Sequence, residues 1–580
     1  MSWKQFIPIL DKLSGYRPKA FRADLTAGLT ICVMLIPQGM AYALLAGMPP
    51  IYGLYGGLVP LLIYGLLGTS PQLSIGPVAV SALLVLAGIT QLAEPESGRY
   101  IELVILTGLM IGVTQLLLSA MRLGFLVTFL SHPVIMGFTS AAAIIIAVSQ
   151  LKYLFGFPIP RSEHTFDTAL YAFQHISQIH WLSFGFCAGG IVLMLLLKRW
   201  APFLPGALFV TILGILLTSW LDLDQKGLAI VGSVPEGLPD FGMPSWSWAN
   251  VKAVLPTVGT VTVIGIVESI GIAKALEIKN KDTIVRPNQE LFALGFSKIA
   301  GAFFQALPTS ASFTRSAVNN EAGARTGLSS VFAAAATGLV LVFFTPVFFY
   351  LPKAVLAAIV LMAVRSLFDL QGAKVLWAIH RKDFFMMLTT FLVTLVLGIE
   401  EGVLAGVVLS LLLVIYQASR PHTAVLGRLP DTNYFRNVKR FPEAQQFSGV
   451  LILRFDAPLF FLNTESFKGA IFNAVDKVSP PSKLVILDAS SILDIDSGGL
   501  HAIEEVHHYL KGRGIEFYVA GLIGPIRDAF QRAGLTETLG FHNHFMYVSD
   551  ALEYYYKEER ERPKHWTNYA IQHNLKNNDQ

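Results

Sequence analysis

A lone arginine among hydroxyl and small residues, inside an otherwise apolar region, has few inert uses. Arg315 stands in the run PTSASFTRSAVN, residues 308–319. Burying its charge is expensive, and intramembrane arginines face a cavity or a partner. Pro308 lacks a backbone N–H, which disfavours a continuous helix and favours a fresh start just beyond it. Ser310, Ser312 and Thr314 can cap that start, leaving N–H groups free at a helix end worth roughly half a positive charge. Free donors, hydroxyls and a guanidinium describe an anion site without a metal. The alternative uses of Arg315 are a structural ion pair and a side chain snorkelling to the surface.

Two further segments carry the same signature. In IPQGMAYALLAGMPPIYGLYGG, residues 36–57, Pro37 removes a helix bond and is expected to break the span. Gln38 and Tyr42 follow one helical turn apart on one face. Gln38 can donate to an anion and Tyr42 can wall the site, although either residue alone also serves as ordinary packing. In SIGPVAVSALL, residues 74–84, Gly76-Pro77 ends an extended piece and opens a half-helix. Its first donors, around Val78 and Ala79, would form the opposite jaw. Glu268, in TVIGIVESIGIAKAL, is an acid within an apolar helix, placed to bind and release a proton and so to couple transport to a proton gradient. An ion pair with Arg315 or Lys274 is the structural alternative.

These residues need a membrane around them, and the composition supplies it. Hydrophobic residues make up 53% of the chain and charged residues 14%, against roughly a quarter in soluble domains. From about 25 to 416 apolar runs alternate with short charged loops, room for on the order of 12 to 14 spans. The expected spans are 25–46, 52–68, 72–91, 101–120, 125–148, 181–198, 203–220, 252–276, 291–306, 311–321, 328–350, 353–367, 384–398 and 401–418. With both ends inside, the basic residues Lys4, Lys12, Arg17, Lys19, Arg22, Arg122, Lys198, Arg199, Arg325, Lys374, Arg381 and Lys382, and the cluster 274–286, fall on the cytoplasmic side. Lys152 and Arg161, sharing a loop with Glu163 and Asp167, are the exceptions. The interrupted third and tenth spans stand seven apart, which suits a repeat of seven. The first 24 residues carry no cleavable signal pattern.

Charge returns to soluble levels after Arg420. Strand-like runs at 449–455, 483–488 and 515–520 alternate with helical periods at 464–478, 499–512 and 523–533, with Pro480-Pro481 as punctuation. That alternation predicts an α/β domain. The expected organisation is a cytoplasmic segment 1–24, a transport domain 25–418, a linker and the start of the soluble region at 419–447, the α/β domain 448–558 and a polar tail 559–580. Cys32 and Cys187 both lie in apolar runs, which excludes a disulfide framework or zinc site. A net charge of +4 gives no basis for nucleic-acid binding. No nucleophile, metal cluster or nucleotide loop points to an enzyme or an ATP-driven pump, and no cofactor is expected.

The runs PQGMAYALLAGMPPIYGLY (37–55) and GTSPQLSIGPVAV (68–80) resemble the signature of the SulP anion transporters, the sulfate permeases. PTSASFTRSAVN resembles that family's tenth-span motif. LVILDASSILDIDSGGLHAIEEV (484–506) resembles its C-terminal STAS domain. The resemblance implies fourteen spans in two inverted seven-span repeats, forming a core and a gate domain that move in elevator fashion. It implies an anion between the N-termini of spans three and ten, surrounded by Gln38, Tyr42, Val78, Ser312, Thr314 and Arg315, with Glu268 nearby. It also implies a homodimer in the cell membrane. Sodium-coupled bicarbonate relatives typically hold an aspartate where Glu268 stands, so the glutamate is similar to the proton-coupled sulfate branch. STAS relatives are phosphorylated within Asp-Ser-Ser-Gly. Here the turn reads Asp496-Ser497-Gly498-Gly499, so one serine is missing; Ser497 is the candidate regulatory serine, and capping the helix is its alternative use.

Charge bookkeeping bears on the substrate. One arginine and two helix ends offer roughly +2, which matches sulfate with Glu268 protonated. Bicarbonate would need Glu268 ionised or holding a cation such as sodium. Other oxyanions and dicarboxylates stay open, as does an anion channel, although a leak needs no coupling acid. A nucleobase permease would hold its base with carboxylates rather than with an arginine amid hydroxyls.

Overall fold

A computed structural model of the chain describes residues 7–13, 16–124, 131–160, 165–201, 204–280, 283–477 and 481–557. Lys4, Arg161, Glu163, Pro480, the opening residues of the fifth expected span and the tail 559–580 lie outside the described residues. The chain divides into two compact units, Met1–Ser410 and Leu411–Gln580.

The first unit is helical because hydrocarbon offers the backbone no partners, so each apolar run must satisfy its own N–H and C=O groups. Its spans begin with α1 (Pro18–Leu45), the pair α2 (Pro50–Gly56) and α3 (Val59–Leu67), and β1 (Ile75–Gly76) leading into α4 (Ala79–Thr90). Then come α5 (Gly98–Ala120), α6 (His132–Ser149), α7 (Trp181–Trp200) and α8 (Gly206–Trp220). The second half holds α9 (Trp248–Lys279), α10 (Pro287–Phe303), β2 (Ser310–Ala311) leading into α11 (Phe313–Glu321), and α12 (Leu328–Phe343). It closes with α13 (Lys353–Val364), α14 (Arg381–Val396) and α15 (Ile399–Ser419). These make fourteen spans.

Pro37 does not break the first span. Helix α1 runs through it to Leu45, because one lost hydrogen bond is tolerated where neighbouring helices pack around the kink site. Gln38 and Tyr42 therefore sit on a continuous helix.

The packing repeats with a period of seven spans. Helix α5 packs on α10, and seven spans on α12 packs on α3. Likewise α1 on α12 matches α9 on α5, α11 on α1 matches α4 on α9, and α6 on α14 matches α13 on α7. Glycines mark corresponding contacts. A Cβ on Gly112 would lie 2.8 Å from the Gly295 carbonyl, and one on Gly65 would lie 2.7 Å from that of Gly327. Two amphipathic helices absent from the sequence reading, Thr165–Gln174 and Leu370–Ile379, also occupy matching places after spans five and twelve. Spans one to four and eight to eleven form the core. Spans five to seven and twelve to fourteen form a second bundle, the gate, which α15 joins through Gly402 against Thr394 and Gly406 against Val134. The gate meets the core where α8 and α13 touch α1 and where α6 and α13 touch α4.

The second unit is an α/β domain. Its strands are β3 (Thr423–Arg428), β4 (Phe435–Asn437), β5 (Val450–Phe455), β6 (Leu484–Asp488), β7 (Glu516–Ala520) and β8 (His544–Phe545), in sheet order β4-β3-β5-β6-β7-β8. The stretch 419–447 thus carries a hairpin, β3 with β4, and β3 pairs antiparallel with β5. From β5 to β8 the pairing is parallel. The near-continuous apolar β5 and β6 suit strands buried on both faces.

Ser497 is not the cap of the helix Ser497–Gly512; it is the first helical residue and is exposed. Asp496 caps instead. One carboxylate oxygen accepts from Gly499 N at 2.8 Å and the other from Phe461 N at 2.9 Å. A carboxylate at a helix N-terminus also answers the helix dipole, which a hydroxyl does less well. Asp496→Ala is expected to destabilise this helix start by about 1–2 kcal/mol, and Ser497→Ala by less than about 0.5 kcal/mol. Hydrogen exchange at residues 497–502 of the full chain reads both. Equal protection loss in the two variants would contradict the assignment.

Candidate anion site

Two broken spans cross at the centre of the core. Strands β1 and β2 pair antiparallel, Ile75 with Ala311 and Gly76 with Ser310, extended by Ser312 N donating to Ser74 O at 3.0 Å. Beyond the crossing each chain turns into a helix, α4 on one side and α11 on the other. At about 1.5 Å per residue neither helix spans a bilayer alone. The first N–H groups of both have no intrahelical acceptor and belong to the residues just beyond the crossing. Val78 is the N-cap of α4 without a side-chain cap, and Ala79 is its first residue. Ser312 caps α11, accepting from Arg315 N at 3.4 Å. Of the three hydroxyl residues expected to cap, only Ser312 does so. Ser310 lies in β2, and Thr314 is paired with Ser312 through their oxygens at 3.2 Å.

Arg315 is fully buried and ties the crossing together. Its Nη1 donates to Gln38 Oε1 at 3.2 Å and to Pro77 O at 3.1 Å. Nε and Nη2 find no acceptor among the protein groups. Gln38 therefore orients the arginine through its oxygen, a different use from donating directly to an anion. Tyr42 is buried one turn along. Glu268 is half-buried on α9 and accepts from Ser310 Oγ at 3.4 Å. The Ser310 hydroxyl also meets Ser269 Oγ at 3.2 Å, and Ser269 Oγ accepts from Ala311 N at 3.2 Å. Neither ion pair considered for Glu268 forms. Lys274 is taken by Glu277 at 2.7 Å, and Arg315 is held by neutral oxygens.

The residues that hold the crossing rigid escaped the sequence reading. Ser316 Oγ accepts from Ser74 N at 2.9 Å, and Asn319 Nδ2 donates to Gln72 O at 3.0 Å. Both belong to the PTSASFTRSAVN run, and their polarity within it was the available signal. Two buried carboxylates clamp the loops beside the crossing. Glu290 accepts from Tyr64 at 2.8 Å, from Thr69 N at 2.7 Å and from the Thr69 hydroxyl. Asp24 accepts from Arg325 N at 2.6 Å and the Thr326 hydroxyl at 2.6 Å. Each satisfies backbone donors that would otherwise be orphaned inside the protein.

Known proteins share this architecture. Residues 21–390 match the sulfate permease family and residues 441–551 the STAS domain. The chain is 40% identical over 552 residues to the sulfate transporter 4.1, chloroplastic, of Arabidopsis thaliana, covering 92% of this chain and 80% of that one. It is 33% identical over 551 residues to a probable sulfate transporter of Mycobacterium tuberculosis, covering 94% and 97%. Among solved structures, the murine solute carrier 26 family member A9 anion transporter in its inward-facing state superposes with a TM-score of 0.87 at 25% identity, covering 95% of this chain and 94% of that one. The transmembrane domain of the cyanobacterial bicarbonate transporter BicA shares the fold with a TM-score of 0.59 at 21% identity, covering 68% and 98%.

A polytopic helical transporter with an appended STAS domain is the class these features define. The chain belongs to the sulfate permease family, and it is a membrane transporter rather than an enzyme.

Proposed function

We propose that this chain is a secondary active transporter that takes up sulfate together with protons. The observation that carries the reading is the pair of unanswered donors, Nε and Nη2, on an Arg315 buried at the crossing where two helices start, with Nη2 beside Gly76. A tetrahedral dianion presents acceptors in several directions, and a guanidinium edge can give two parallel hydrogen bonds to one. The remaining sulfate oxygens accept from the first N–H groups of α4, at Ala79 and Val80, and of α11, at Phe313 and Thr314. The Ser312 and Thr314 hydroxyls and the wall formed by Tyr42 and Val78 complete the site. Arginine and helix ends together offer roughly +2, so the balance with sulfate closes when Glu268 carries a proton. Glu268 takes that proton with the anion and returns it after release. The core carries the site past the gate in an elevator motion, in a homodimer within the cell membrane with both termini cytoplasmic.

Radiolabelled sulfate uptake into proteoliposomes tests the reading. An imposed inward proton gradient is expected to drive accumulation, and a protonophore to abolish it. Sodium-stimulated bicarbonate accumulation without sulfate uptake would overturn both substrate and coupling ion. Gradient-independent leak would support a channel instead.

A further inference from the structure

Two polar side chains meet deep in the core and take no part in the anion site. Lys298 lies eleven residues into α10, roughly 16 Å from its start at 1.5 Å per residue. Its Nζ donates to Oε1 of Gln115 on α5 at 3.0 Å. Lys298 is 4% exposed, Gln115 is fully buried, and Gln115 Nε2 has no acceptor. The two spans come close because Gly112 and Gly295, each one turn away, bring the backbones together.

An ammonium has three donors and calls for three acceptors or a counter-ion. This one has a single amide oxygen. The charged and titratable groups on the packed spans are Arg99, Tyr100 and Glu102 at the start of α5, Tyr64 on α3, Glu290 on α10, and Lys252, Glu268, Lys274, Glu277 and Lys279 on α9. Arg99 pairs with Glu102, Lys274 pairs with Glu277, Tyr64 donates to Glu290, and Glu268 faces Ser310. Among the described residues no carboxylate comes within 4.0 Å of Lys298 Nζ.

A free amine asks for less, and Gln115 answers both forms. As placed, its Oε1 accepts from the lysine. Rotated by 180° about its last torsion, its Nε2 would donate to the amine lone pair, since the two ends of an amide are nearly equal in shape. The one partner present is thus a partner with or without the proton.

We propose that Lys298 and Gln115 form a proton-binding site of the core, separate from Glu268, whose occupancy changes with that of the anion. The second half rests on the proton-coupled anion reading above. Helix α5 reaches the anion site directly, since a Cβ on Gly108 would lie 3.3 Å from the Pro308 ring that precedes β2. A positive charge gained here favours a dianion there, and by linkage the anion favours the proton equally.

Proton binding itself is the test. The full chain in detergent micelles is titrated potentiometrically, wild type against Lys298→Met and Lys298→Arg. Either variant suffices if the other fails to fold. Wild type is expected to bind and release about one more proton per chain than either variant over the titration. A flat difference overturns the site, whatever the anion. In proteoliposomes Lys298→Met is expected to take up fewer protons per sulfate than wild type. An unchanged ratio overturns the coupling. Wild type that moves no sulfate counts against the sulfate reading, and the titration still decides the site.

Discussion

Sulfate uptake is expected to fall by a factor on the order of 100 or more when Arg315 becomes alanine. Two charge-assisted hydrogen bonds are lost, each worth about 1.5–3 kcal/mol, and every 1.4 kcal/mol is tenfold. The same change leaves Gln38 Oε1 and Pro77 O without their donor, so part of the effect is structural. Arg315→Lys separates the two. It keeps the charge but loses the planar fork, and is expected to recover part of the uptake with a raised KM. Uptake at wild-type level in Arg315→Ala would remove the anion site from the crossing. Full loss of uptake in Arg315→Lys, with thermal stability intact, would show that geometry outweighs charge.

The second large effect is on coupling. Glu268→Gln keeps the shape and hydrogen-bonding capacity of the protonated acid but cannot release the proton. It is expected to exchange sulfate for sulfate across the membrane while losing the share of accumulation that the Glu268 proton drives. For the proton carried on Glu268, a gradient of one pH unit is worth about 1.4 kcal/mol, or about tenfold accumulation, and that is what the variant loses. The sign follows from the chemistry. If the dianion travels with a protonated Glu268, wild-type uptake falls as the external pH rises, and Glu268→Gln depends on it less steeply across the same range. Uptake in the variant that tracks external pH as steeply as wild type would move the coupling proton away from Glu268.

Much of the transport unit was legible because its signals are local. Apolar runs of spanning length announce helices, and a bilayer leaves them no other structure. Pro77 and Pro308 announce the two half-helices because each removes a donor from its own chain. Pro37 gave the same signal and was misleading. What a proline does within a span depends on the helices packed around it, which no window of sequence contains. The capping residues were misread for a similar reason. Ser310, Ser312 and Thr314 are chemically alike, and only the pairing of β1 with β2 determines which one reaches the helix end. At Asp496-Ser497 either residue can cap, and the backbone turn selected the carboxylate.

The sequence by itself determined the class of molecule, the two interrupted spans, and the residues that could meet an anion and a proton. Residue type and local spacing set those, through desolvation cost, backbone donors and hydrophobic length. Tertiary structure alone decided how they meet. It turned Gln38 into an acceptor for Arg315, brought Glu268 to Ser310 rather than to a cation, and closed Glu290 and Asp24 around loops on distant parts of the chain. It also left Lys298 facing a single amide. Hydrogen bonds between residues two or three hundred positions apart leave no periodicity behind, and only the packing of spans brings such donors and acceptors within reach.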